Sequence, residues 1–221
     1  MNTTSKLIAF VSLFSVVAFV FAAEHPAASV GADAALAKLK EGNARFVNSK
    51  VSKGKPTAAR RAEIAQGQHP FAIILGCADS RTSPEIIFDQ NIGDIFVGRN
   101  AGNLVDDHTL GTIEYGVEHL GARLIVVLGH ERCGAVQAAV ASDSAPGHIQ
   151  SLVRDIQPAV QAVKGKPGDQ VHLAVAENAR LMAEEIRTKA NFGDLGKDVK
   201  IIPAVYDLDT GKVNWEVTSV Q

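Results

Sequence analysis

The chain has 221 residues, 46% of them apolar and 21% charged, with a net charge of −2. That composition can fill a sizeable core and excludes an intrinsically disordered chain. The near-neutral balance and the 5% aromatic content exclude a basic nucleic-acid platform, an anionic-lipid binder and a single-strand stacking surface.

The first segment stands apart from the rest. "MNTTSK" carries one lysine, "LIAFVSLFSVVAFVF" (7–21) is apolar apart from two serines, and "AAEHPA" follows. This is the charged, apolar and small-residue order of a secretory signal, with cleavage expected after Ala22. The uncharged run Leu7–Ala23, at 17 residues, is at the short limit for a membrane span. No cysteine lies near residue 22, which disfavours a lipid anchor. The expected organisation is a signal peptide over 1–22, a linker over 23–33 and one domain over 34–221. The destination is then periplasmic or secreted, with no stable membrane anchor after cleavage.

Within the domain, residues 31–50 predict an amphipathic helix and 58–68 a shorter one ending at Gly67. Three continuous apolar runs follow, "FAIILGC" (71–77), "DIFVGR" (94–99) and "LIVVLGH" (124–130). Continuous apolarity means burial on both faces, which suits parallel strands covered by helices. Helical patterns occupy 107–121, 134–142, 148–163 and 170–189, and the chain closes with "VKIIPAVYDL", a "DTGK" turn and "VNWEV", a hairpin signal at a sheet edge. Alternating strands and helices predict an α/β domain with a mostly parallel central sheet, flanked by helices.

Two of these strands end alike. Each runs through a glycine into a soft metal ligand: Cys77 opens "CADSR" and His130 opens "HERC", which ends in Cys133. In open α/β sheets, sites form outside the carboxyl ends of strands. If the two strands are neighbours, Cys77, His130 and Cys133 converge as the ligand set of a catalytic zinc, which leaves a fourth position open. Asp79 beside Arg81 would be held ionised and oriented next to the metal, or could swing in as a fourth ligand that closes the site. The competing reading is structural. The chain has only two cysteines, and in an exported protein a pair reads first as a disulfide.

The paired motifs "CADSR" and "HERCGA", together with "EGNARF", "PEIIFDQNIGDIFVGRNAGN", "GTIEYGVEHLGARLIVVLGHERCGAV" and "VYDLDTGKV", resemble the β-class carbonic anhydrases of the plant-like type. The resemblance implies one zinc per protomer on Cys77, His130 and Cys133, with Asp79 kept off the metal by Arg81. It implies reversible hydration of carbon dioxide to bicarbonate and a proton, by attack of hydroxide generated on zinc. It also implies a four-stranded parallel core with a further edge strand, and a homodimer or higher homo-oligomer whose active sites lie at interfaces. By the same resemblance Gln68, Phe96, Ala101, Tyr115 and Gly134 line the substrate site. Two departures stand out: Ala78 where serine is common, and Ile74 where another branch of the family carries a tryptophan used in bicarbonate inhibition. Two other functions stay open from sequence. One is hydrolysis of a carbon dioxide analogue, carbon disulfide or carbonyl sulfide, on the same scaffold. The other is a non-catalytic exported protein with a Cys77–Cys133 disulfide.

Overall fold

The computed structural model describes residues 30–52 and 56–217. The expected signal peptide lies outside the described residues, as does most of the expected linker. Helix α1 (Ala32–Val47) opens the described chain, and α2 (Ala58–Ile64) follows, capped by the Thr57 side chain on the Arg60 N–H. Strand β1 (Ala72–Cys77), the short helix α3 (Pro84–Ile87), β2 (Ile95–Asn100), α4 (Asp107–Glu118) and β3 (Leu124–His130) come next. Helices α5 (Gly134–Ala141), α6 (Ile149–Val163) and α7 (Gln170–Lys189) then precede a 3-10 turn, β4 (Lys200–Tyr206) and β5 (Val213–Asn214). Among the described residues no helix is long and apolar enough to cross a membrane.

The five strands form one sheet in the order β2-β1-β3-β4-β5. The first four are parallel, and β5 returns antiparallel as the expected edge hairpin. Every residue of β1 and β3 is buried, which is what their unbroken apolar runs require. Side chains alternate between two cores. Ile73, Leu75 and Cys77 join α4, α6 and α7 on one face, whereas Ala72 and Ile74 join α1 and Phe88 on the other. Trp215 packs on that second face, its ring 5.8 Å from Phe88.

Two glycines fix how closely helices approach. A Cβ on Gly42 of α1 would lie 1.7 Å from the Phe88 carbonyl oxygen, so only glycine lets α1 reach α3. A Cβ on Gly129 would press Val175 of α7 at 3.3 Å, so the glycine before His130 lets α7 lie against the end of β3.

Candidate metal centre

β1 and β3 are hydrogen-bonded neighbours, so their carboxyl ends deliver Cys77 and His130 to one edge of the sheet. Cys133 follows three residues later because Arg132 adopts a left-handed backbone (φ 52°), which folds the turn back on itself. The Cys77 Sγ, the Cys133 Sγ and a ring nitrogen of His130 all lie within 4.8 Å of one another, and all three residues are buried. The two sulfurs are 3.9 Å apart and both cysteines are free thiols. That separation is well beyond the ~2 Å of an S–S bond.

Each candidate ligand is held from behind. The His130 Nδ1 lies 2.9 Å from the Glu131 carbonyl oxygen, which can only accept, so Nδ1 carries the hydrogen and donates. The lone pair of Nε2 therefore faces the sulfurs, and Nε2 is buried with no hydrogen-bond partner among the described residues. Such an atom is costly to bury unless something binds it. Cys133 is the N-cap residue of α5, with no side-chain cap hydrogen bond, and the nearby backbone N–H groups of Val136 and Ala135 favour its thiolate. Cys77 accepts from the Gly102 N–H at 3.4 Å. The thiol–thiol hydrogen bond lowers the pKa of Cys77 and raises that of Cys133, with burial resisting ionisation at both. Two thiols and one imidazole, preorganised and lacking another partner for Nε2, fit a soft divalent cation such as zinc.

Asp79 stands at the rim. Arg81 grips it with Nε on Oδ1 at 2.9 Å and Nη2 on Oδ2 at 2.7 Å. These bonds hold the Asp79 carboxyl well below the usual carboxylate range, against the opposing effect of partial burial. The Asp79 Oδ2 is 3.9 Å from the His130 Nε2, close to the ligand set but outside hydrogen-bond distance. Arg99 clamps the backbone beneath, donating to the carbonyls of Cys77 (2.8 Å) and Asp79 (2.7 Å).

The remaining predicted residues divide into two groups. Ala101 and Gly134 sit at the centre. Ala101 follows Asn100, which pairs with Cys77 across the β1–β2 ladder, and Gly134 opens the helix that Cys133 caps. Gln68, Phe96 and Tyr115 do not reach it within one chain. Gln68 is exposed in the loop before β1, at the opposite end of the strand from Cys77. The strand alone spans about 16 Å at ~3.3 Å per residue. Phe96 is paired with Ile73, about 13 Å of strand short of Cys77 by the same rise. Its ring centroid is 6.2 Å from that of Tyr115, which is 49% exposed and 5.0 Å from His119. Sequence reasoning missed Arg99, the Gly102 N–H and the Glu131 carbonyl, because backbone partners leave no signature in residue type.

The carbonic anhydrase family profile matches residues 72–213, which hold all three candidate ligands and the Asp79–Arg81 pair. The chain belongs to the carbonic anhydrase family, and its mostly parallel five-stranded sheet is that of the β class. Carbonic anhydrase 2 of Mycobacterium tuberculosis is 49% identical over 131 residues, covering 58% of this chain and 63% of that protein. A carbonic anhydrase of Synechococcus elongatus is 30% identical over 169 residues, covering 68% of this chain and 61% of that one. The matched segments thus span a little over three fifths of these relatives' length. Among solved structures, the Coccomyxa β-carbonic anhydrase in complex with acetazolamide superposes with a TM-score of 0.66 at 25% identity, over 84% of this chain and 87% of that one. A tetrameric β-carbonic anhydrase from Sordaria macrospora shares the fold, with a TM-score of 0.62 at 22% identity over 73% and 87% of the two chains.

Proposed function

We propose that this chain is a zinc-dependent β-carbonic anhydrase that interconverts carbon dioxide with bicarbonate and a proton. The observation that carries the reading is the buried His130 Nε2, turned towards two buried thiols and without a hydrogen-bond partner among the described residues, beside a carboxylate held ionised by Arg81. Cys77, His130 and Cys133 would hold the zinc. The ion would supply a Lewis acid able to bring the pKa of water from 15.7 to near 7.

The chain's own residues supply the rest. Asp79, kept as an acceptor by Arg81, orients an O–H donor at the open side of the ligand set. Arg81 also denies Asp79 the ligand position itself, since both carboxylate oxygens are engaged. Ala101, next in sequence to the Gly102 whose N–H meets the Cys77 sulfur, would present only a methyl group to a small substrate. The 3.9 Å sulfur separation favours this reading over a disulfide-bonded, non-catalytic protein.

We further propose that the working unit is at least a dimer. Gln68, Phe96 and Tyr115 cannot serve the Cys77 site of their own chain, but a second copy could bring them to it. Export to the periplasm or outside rests on the sequence of residues 1–22 alone.

The test is stopped-flow carbon dioxide hydration by the chain from residue 23, before and after metal removal and with zinc added back. Fast, zinc-restored hydration supports the reading. No hydration at pH 7 or pH 8.5 by zinc-loaded protein would sink it.

A further inference from the structure

Asn178 lies in the middle of α7, far from the ligands in sequence and unmentioned by any motif. It is 1% exposed. Its Nδ2 donates to the Gly102 carbonyl at 2.9 Å, an assignment that admits no flip because a carbonyl can only accept. The other end of its amide, Oδ1, has no partner among the described residues. The unpaired Oδ1 costs free energy that offsets what the one hydrogen bond contributes, so Asn178 is a poor device for stability alone.

The Gly102 residue that Asn178 holds is the one whose N–H points at the Cys77 sulfur, at 3.4 Å. Gly102 sits at φ 82°, and a Cβ there would meet Ile156 at 3.0 Å, so only glycine can present its N–H this way. Asn100 pins the same loop from the other side. Its Nδ2 donates to the Leu104 carbonyl at 2.8 Å, and its Oδ1 accepts from the Leu104 N–H at 2.7 Å. The loop between β2 and α4 is therefore gripped twice, with one N–H aimed at a candidate ligand atom.

We infer that Asn178 is a positioning residue for the metal centre: by fixing the Gly102 carbonyl it aims the Gly102 N–H at the Cys77 sulfur and so sets the donor strength and orientation of that ligand. The inference rests on the zinc reading above. Partners one bond removed from a metal ligand tune its basicity and geometry, and losing one typically weakens metal binding by about 10–100-fold. The class of effect is the tuning of a thiolate by hydrogen bonds to sulfur, known to set the electronic properties of other thiolate centres.

The test uses cobalt(II) in place of zinc, read by its thiolate-to-metal absorption band, in wild type and Asn178→Leu. Leucine has a similar volume and no donor. The variant removes the unpaired Oδ1 but strands the Gly102 carbonyl, two opposing effects, so the thermal midpoint of the metal-free chain should change little. Its thiolate band should move to lower energy, because a sulfur without the N–H bond is the better electron donor, and zinc affinity in chelator competition should fall about 10–100-fold, because the released loop no longer orients the Cys77 ligand. A band and affinity identical to wild type would overturn the inference, as would a loss of thermal stability with an unmoved band. If wild type itself gives no thiolate band, the metal reading fails and this inference with it. Should Asn178→Leu not fold, wild type loaded with cadmium-113 decides. A through-sulfur coupling between the metal and the Gly102 amide proton supports the inference, and its absence refutes it.

Discussion

Arg81 holds Asp79 by two parallel hydrogen bonds of 2.9 and 2.7 Å, leaving the carboxylate 3.9 Å from the ligand nitrogen of His130. Under the zinc reading the pair would be a latch: a short side chain beside the candidate ligands kept off the metal by a fork-shaped partner. Replacing Arg81 with leucine frees the carboxylate to rotate inward. Zinc content should stay at one per chain, while hydration falls about 10–100-fold, the usual effect of losing an outer partner of a metal site. Metal analysis alongside stopped-flow kinetics checks both halves. A variant with full activity would show that Asp79 needs no restraint.

Chelation distinguishes the metal from a disulfide. Denatured in the presence of chelator and without reductant, the chain should release two titratable thiols, Cys77 and Cys133, since both are free in the structure. In the native zinc-loaded protein both should be shielded from a thiol reagent. Zero thiols in the denatured chain would mean that the pair is oxidised.

Asn43 is a stability determinant outside the site. It is buried on α1, donates to the carbonyls of Ile87 (3.2 Å) and Gly211 (2.8 Å), and accepts from the Val213 N–H (3.0 Å). One side chain thus ties the first helix to α3 and the closing hairpin. Asn43→Ala strands two buried backbone groups and one part-buried one and should cost about 2–3 kcal/mol in urea unfolding. Zinc affinity should stay unchanged.

Tyr115 tests the assembly. Its ring is half exposed and stacked in a row with Phe96 and His119, a patch that a second copy would cover. Tyr115→Glu should shift sedimentation from dimer or larger to monomer and abolish hydration together, with zinc retained. A monomer with full activity would show that one chain forms a complete site.

Much of this was legible in the sequence because apolar runs and glycines report burial directly. β3 and α7 fall where the patterns predict them, and β1 and β2 differ by a residue at their ends. The short helix α3 and the 3-10 turn over Gly193–Asp198 carry no periodicity long enough to see. The convergence of Cys77, His130 and Cys133 followed from two strands ending in glycine plus ligand. What composition could not show was reach. Gln68 stands only nine residues before Cys77, yet a buried strand lies between them and puts them at opposite ends of the sheet. Nor could it show Asn178, whose role depends on meeting a carbonyl 76 positions away.

The ladder between β3 and β4 has a temporal meaning. His130 is in register with Tyr206, and the Glu131 N–H donates to the Tyr206 carbonyl at 2.9 Å, so the turn that carries His130 and Cys133 is completed by a strand that comes much later in the chain. Three helices intervene, and closing so long a loop before any contact rewards it is slow. During synthesis, the two thiols therefore emerge well before the cradle that buries them exists. Under the zinc reading, metal capture would then be a late step of maturation, in competition with oxidation of the two thiols.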